Sequence, residues 1–316
     1  MYPIRFDPIY QDYIWGGNRI PIKYHRPSKK GPVAESWEIS DREEGMSVVA
    51  NGPFKGRTLH EIMGELGEKL MGEGRVWDRF PLLVKIIDAK ENLSIQVHPD
   101  EKAAKILKGE PKAEMWVALE PGAIFAGLKK GVTEEEFRSG VKGDKVDQLL
   151  EKIDLIAGDV IDIPGGRVHA ICAGAFLLEV QQNSNTTYRI YDWGRAPKEG
   201  KRRPLHLEEA ISAIHWHDRS HPTIPHHHLQ SDSHHQLITL LSGPFFVVER
   251  FDIFDQLHIG TIPKTFQIFF CMNGEGEICV NGHKEPLRAG MTYLIPAAAG
   301  GIEIEGRCEL IRVRVP

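Results

Sequence analysis

Apolar residues in this chain recur with a period of two or in short unbroken runs, and the runs stop at Gly, Pro or Asn. The segments ESWEIS (35–40), FPLLVKIID (80–88), LSIQVHP (93–99), EMWVALE (114–120), DVIDIP (159–164), AFLLEVQQ (175–182), FQIFFCM (266–272) and EICVNG (277–282) are rich in β-branched and aromatic residues. Each predicts a strand. Helical spacing is confined to RTLHEIMGELGEKLMG (57–72), DEKAAKILKG (100–109), TEEEFRSG (133–140), KVDQLLEKI (145–153) and HLEEAISAI (206–214), and Thr133 with Glu136 has capping-box spacing. The pattern as a whole predicts a mainly β scaffold with a few helical insertions.

An internal repeat narrows the scaffold. GDVIDIPGGRVH (158–169) places Pro164 six residues after Gly158, then Gly166 and His169, and GMTYLIPAAAGG (290–301) repeats the Gly-to-Pro spacing at Gly290 and Pro296. Before the second copy, an Asn281-Gly282 pair between two strand signals predicts a hairpin. The first copy is similar to the second conserved motif of the cupin families, G-x5-P-x-G-x2-H, whereas the second copy has Ala298 for the Gly and Gly301 for the His. This resemblance implies a double cupin, two β-barrel or jelly-roll domains, of which only the first keeps its metal ligand. The polar, Pro-interrupted, His-rich stretch RSHPTIPHHHLQSDSHH marks a linker, so the expected domains are 1–218, catalytic and metal-binding, 219–235, the linker, and 236–316, a degenerate cupin.

Length and charge remove other classes. The 316 residues are enough for about two domains at roughly 100–200 residues each. A composition of 41% hydrophobic and 26% charged residues, with no apolar run near the roughly 20 residues of a membrane helix, predicts a soluble globular protein. The opening MYPIRFDPIYQDYIWGG lacks a secretory pattern, and a cytoplasmic location is expected. Cys172, Cys271, Cys279 and Cys308 lie far apart and read as buried thiols rather than as a thiolate zinc site or a disulfide framework. A net charge of −5 disfavours nucleic acid and anionic membrane, so any anion recognition must be local.

Candidate chemistry concentrates in two strands. Ser94, Gln96 and His98 alternate with Ile95 and Val97, so the three polar side chains share one strand face, and Lys112, Glu114 and Trp116 repeat the arrangement. With His169 these provide two imidazoles, one carboxylate and one amide oxygen, a nitrogen and oxygen set suited to one divalent zinc with an open position. The run His226, His227, His228 with His234 and His235 lacks a matching carboxylate pattern and is not read as a second metal site.

These segments, together with IWGG (14–17), GRTLHEI (56–62), PLLVKIIDAKENLSIQVHPD (81–100), KAEMW (112–116), GDVIDIPGGRVHAI (158–171) and LLEVQQNSNTTYRIYDWGR (177–195), resemble type I phosphomannose isomerases of the short bacterial and archaeal form. The resemblance covers most of the chain. It implies metal ligands at Gln96, His98, Glu114 and His169, phosphate contacts at Ser94 and Lys112, a catalytic Arg189, and a basic residue near the site at Arg195. Glu179 is the expected base, and Trp15, Trp37 and Trp116 the expected pocket walls. Asn185 stands where the family has Asp, and Trp193-Gly194 departs from the usual residues before Arg195.

The implied reaction is zinc-dependent interconversion of mannose 6-phosphate and fructose 6-phosphate, an aldose–ketose isomerisation through an enediolate, in a monomer or homodimer. Two rivals are a non-haem iron cupin dioxygenase and a non-catalytic sugar-phosphate-binding cupin. Gln96 filling a coordination position disfavours the first, and only turnover separates the second.

Overall fold

The structure, a computed structural model, describes residues 1–27, 31–195, 202–225, 227–260 and 262–316, and the side chains of 227–229 also lie outside the description. The chain divides into two compact units, one made of 10–37 and 82–224, the other of 1–9, 38–81 and 225–316.

The first unit is built on two antiparallel sheets. One runs in the order Ile9–Gln11, Glu35–Ile39, Leu82–Asp88, Phe176–Gln182, Glu114–Ala118, Val160–Ile163, and the other Tyr188–Tyr191, Ile95–Val97, His169–Ile171, Gly122–Leu128, Leu150–Leu155. Ile87, Trp116, Ile163 and Leu177 of the first pack with Ile124, Ala126, Leu155 and Ile171 of the second in one core cluster. The two sheets therefore face each other as a cupin sandwich. Ile95 and Val97 point the other way, into a second cluster with Ala103, Phe137 and Ala210. Those three come from the helices Glu101–Leu107, Glu134–Lys142 and Leu207–Ala213, which cover the outside of the smaller sheet. Local capping starts two of them: Asp100 accepts from the Ala103 amide at 2.7 Å, and Thr133 and Glu136 form a capping box.

One helical expectation is corrected. KVDQLLEKI forms only a 3₁₀ turn, Val146–Leu149, followed by the strand Leu150–Leu155 on the edge of the smaller sheet. Its apolar residues satisfy a helical period, but pairing with Gly122–Leu128 gives the backbone partners that a short isolated helix lacks, and tertiary context wins.

In the second unit an eight-stranded sheet runs His227–Ser231, His235–Ser242, Val247–Ile253, Ile302–Arg314, Gln267–Val280, His283–Arg288, with Gln256–Ile259 paired to Ile302–Arg314 and Thr292–Ile295 paired to Gln267–Val280. The expected hairpin is present, with Asn281 and Gly282 at φ 50° and 78° in the left-handed region that such a turn requires. Phe251, Phe269, Tyr293, Ile295 and Leu310 fill its core. On the same faces a buried Arg312 reaches Glu249 at 2.7 and 2.9 Å and Gln267 at 3.2 Å, with its guanidinium 4.8 Å from the Phe251 ring centre. All four cysteines are free; Cys172, Cys271 and Cys308 are buried as expected, and Cys279 is only half-buried. No helix among the described residues is long and apolar enough to cross a membrane.

Candidate metal centre and its cavity

Three strands bring the metal-ligand candidates together. His169 lies opposite Gln96 in the smaller sheet, so their side chains leave the same face, and Glu114 reaches toward them from the facing sheet. The ligand atoms of His98, Glu114 and His169 lie within 4.8 Å of one another, and among the described residues this is the one such group of His, Cys, Asp and Glu. Each imidazole is oriented by a main-chain carbonyl. His98 Nδ1 donates to Thr186 O and His169 Nδ1 to Arg167 O, both at 2.9 Å, because a carbonyl can only accept. Both Nε2 lone pairs are thereby turned toward Glu114, at 3.2 Å from Oε1 for His98 and 3.7 Å from Oε2 for His169.

The charge states suit a cation. Burial and then the Lys112 charge push the His98 pKa down, and burial and then His98 lower His169 to about 3, so both rings are neutral. Burial by itself would raise Glu114, but Lys112 and His98 outweigh it and hold the carboxyl well below the usual range. Glu114 Oε1 sits 2.5 Å from Lys112 Nζ, while Oε2 is buried without a hydrogen bond. Leaving such an oxygen unpartnered costs about 1–3 kcal/mol or more, which a bound cation removes. Gln96 donates its amide nitrogen toward His169 Nε2 at 3.3 Å and accepts from Ser94 Oγ at 3.1 Å; a half-turn of the amide exchanges the two ends. Two neutral imidazole nitrogens, one ionised carboxylate and one amide therefore fit a divalent ion.

A cavity of about 160 Å³ opens beside this group, lined by Trp15, Trp37 and Trp116 and by Ser94, Lys112, Glu179 and Arg189. In register, Glu179 lies between Lys85 and Trp116. Its two oxygens receive the Lys85 ammonium at 3.0 Å and the Trp116 indole N–H at 2.9 Å. Burial and then the Glu114 charge raise the Glu179 pKa, against the opposing pull of Lys85. Lys85 also lies 3.6 Å from Glu35, which accepts from the Trp37 indole at 2.6 Å. Lys85 and Glu35 are cavity residues that sequence reasoning missed. The available signal was a single lysine inside the otherwise apolar strand LLVKIID, where only a paired charge is tolerated.

The basic residues separate into two groups. Arg189, opposite Gln96 in the sheet, donates to Pro204 O at 3.0 Å and has a buried Nε with no acceptor among the described residues. Arg195 instead donates to Asp192 O at 3.3 Å, Asp192 Oδ1 at 2.6 Å and Asn92 O at 2.7 Å, and Arg203 rather than Arg195 reaches the cavity lining. The two family departures acquire local roles. Asn185 lines the cavity next to Ser184, whose hydroxyl donates to Glu110 O and accepts from the Thr186 amide, fixing the loop that orients His98. Trp193 takes a left-handed φ of 56° and donates its indole N–H to Leu93 O at 2.6 Å. In the histidine-rich stretch, His234 faces Asp255 and His235 faces Asp232, while His226 and the side chains of His227 and His228 lie outside the described residues.

Comparison with known proteins places this geometry. Residues 4–121 match the family description "Phosphomannose isomerase type I, catalytic domain", and 236–315 match "Mannose-6-phosphate isomerase, cupin domain". Curated relatives include mannose-6-phosphate isomerase ManA of Bacillus subtilis, 36% identical with 98% of each chain covered, and the mannose-6-phosphate isomerase of Streptococcus mutans, 35% identical with 94% of this chain and 93% of the relative covered. The crystal structure of a mannose 6-phosphate isomerase from Bacillus subtilis superposes with a TM-score of 0.92 at 31% identity over 99% of both chains.

Proposed function

This chain belongs to the type I phosphomannose isomerase family and is an enzyme of the mannose-6-phosphate isomerase kind; from that premise we propose that it interconverts mannose 6-phosphate and fructose 6-phosphate through an enediolate, with one zinc ion held by Gln96, His98, Glu114 and His169. The observation that carries this reading is the buried His98, Glu114 and His169 group, with one carboxylate oxygen lacking a hydrogen bond, beside a cavity that also holds Glu179 and Arg189.

Zinc, held there, would supply Lewis acidity toward a substrate oxygen. Glu179 is assigned to move the proton between C2 and C1. A raised pKa brings its carboxyl nearer to working pH, and Lys85 and Trp116 fix its orientation. Arg189, through its unpartnered Nε, is assigned to stabilise the developing oxygen anion in a water-poor site. Ser94 and Lys112 form the phosphate end in this reading, while Arg195, the basic residue that the family resemblance puts near the site, lies outside the cavity lining. Catalysis then belongs to residues 1–218, within them to the unit of 10–37 and 82–224, with 219–235 as a joining segment whose strand His227–Ser231 already pairs into the second sheet, and 236–316 as a domain without metal ligands, in a cytoplasmic monomer or homodimer.

The test is conversion of mannose 6-phosphate to fructose 6-phosphate with and without a chelator, restored with zinc, and repeated for His169→Ala. Activity is expected to vanish on chelation, to return with zinc, and to fall by at least about 100-fold in the variant. Activity that survives both treatments sinks the metal mechanism, and oxygen consumption with iron would transfer the site to the dioxygenase class.

A further inference from the structure

We propose that Arg203, held by Asp192, is the guanidinium that grips the phosphate group of the sugar substrate, with Arg195 acting only as the brace for Asp192. The inference rests on the sugar-phosphate reading above and deepens it.

Lys112 is poorly placed to carry the phosphate alone. Its ammonium lies 2.5 Å from Glu114 Oε1 and 3.3 Å from His98 Nε2, so it is committed to the ligand cluster. Another cation must meet most of the dianion. Arg195 has no donor edge to spare: Nε, Nη1 and Nη2 are directed at Asp192 and Asn92, and the residue lies outside the cavity lining. Arg203 differs on both counts. It lines the cavity together with Arg189, Asn185 and Thr187. Its Nε and Nη2 are taken by the two oxygens of Asp192, at 2.9 and 2.5 Å, which leaves the Nη1 edge without a hydrogen bond among the described residues. A guanidinium pinned along one edge has lost its rotamer freedom and presents its three remaining N–H groups in a fixed fork, the geometry that suits phosphate oxygens.

The charge balance points the same way. Arg189, Arg195 and Arg203 stand against Asp192 and, at 3.9 Å from Arg195, Glu91, which leaves a formal excess of one positive charge by three minus two. The Arg189 pKa is lowered first by burial and then by Arg203, so the two guanidiniums are within electrostatic reach of each other. A phosphate monoester, near −2 at neutral pH, neutralises that excess.

The experiment compares wild type, Arg203→Gln, Arg203→Lys and Asp192→Asn in initial-rate kinetics with mannose 6-phosphate, alongside competitive inhibition by inorganic phosphate, zinc content and melting temperature. Arg203→Gln is expected to raise KM and the phosphate inhibition constant together by about 30-fold, with kcat changed by less than about threefold. Zinc content is expected to stay at the wild-type level. Arg203→Lys should recover part of the KM loss and Asp192→Asn should show a smaller rise of the same kind. A folded Arg203→Gln protein whose KM and phosphate inhibition stay within about twofold of wild type overturns the proposal, as does a fall in kcat at unchanged KM. An inactive wild type would overturn the isomerase reading instead. In that case titration of inorganic phosphate against the fluorescence of the cavity tryptophans still decides: a response lost in Arg203→Gln supports the assignment, and one retained there refutes it.

Discussion

At the scale of single residues, the orientation of His169, a proposed ligand, depends on a side chain that never touches the cavity. Arg167 is buried and spends its guanidinium on Asp218 at 2.7 Å, on Asp162 O at 2.8 Å and on Ser220 O at 3.1 Å, so its own carbonyl is fixed where His169 Nδ1 needs an acceptor. Burial by itself would raise the Asp218 pKa, but hydrogen bonds from Arg167 and Ser220 outweigh it and bring it down to about 2 from an ordinary 3.8. A carboxylate depressed in the folded state contributes stability that is complete above the unfolded value and is lost as pH falls through the folded one. The stability of the wild type should therefore fall between about pH 4 and pH 2 by a component that Asp218→Asn lacks. The same variant should lose about tenfold in zinc affinity at neutral pH in a chelator competition. If both its acid profile and its zinc affinity match wild type, the brace does not reach the metal centre.

The alternation at 94, 96 and 98 made it legible that these side chains would share a face, because a strand period of two admits one arrangement. Lys85 was hidden by the apolar run around it, and Arg203 by a basic segment whose residues look alike until one of them meets Asp192. Arg195 illustrates the converse: its place in a motif was readable, but its hydrogen bonds to Asp192 and Asn92 depend on a turn that only the folded chain shows.

At the scale of elements, the 164–168 turn is pressed against the segment that follows His98. Gly166 N donates to His98 O at 2.8 Å, and a Cβ on Gly165 would lie 2.7 Å from Asp100 Cα and 2.9 Å from Pro99 O. His215 closes over Gly166 and reaches Asp100 at 2.9 Å. The segments that carry His98 and His169, the proposed ligands, are thus joined through a contact with no room for a methyl group. Gly165→Ala should destabilise the protein by about 1–3 kcal/mol in urea unfolding and lower zinc occupancy after dialysis, because His169 can yield only by moving away from His98. Full occupancy in a destabilised variant would show that the turn serves stability alone. In the other copy of the repeat the counterpart of Gly165 is Ala297, buried with its methyl group in place, so that turn has the room this one lacks. Strands, hairpin and most helices followed from period and turn chemistry, whereas KVDQLLEKI did not, since its backbone partner lies in Gly122–Leu128 and no local signal names a distant edge.

At the scale of the whole molecule, two similar sheet frameworks have taken different contents. One surrounds titratable ligands and a cavity. The other is packed with aromatic side chains and the Arg312, Glu249 and Gln267 network. Removing Arg312 leaves the buried Glu249 with only Arg314, at 3.6 Å, so Arg312→Met should lose up to about 3–5 kcal/mol of stability, while the double change with Glu249→Leu should restore most of it. Equal losses in the single and double variants would mean that the pair contributes by shape and not by charge.

The interleaving of the two units along the chain has a consequence for synthesis. Ile4 bridges Leu294, the Ala297 amide donates to Leu70 O, and Gly72 abuts Lys264, so residues 1–9 and 38–81, which also pair with each other at Phe6 and Val49, complete their contacts only in the last third of the sequence. The unit of 10–37 and 82–224 has all its strands once residue 224 has left the ribosome. Ile4, Phe6, Ile62 and Leu70, all buried in the finished protein, must wait uncovered until the C-terminal strands emerge. A nascent chain halted there would carry the metal ligands and an unprotected apolar surface together, which makes the final stretch of translation the interval in which this protein most needs a chaperone.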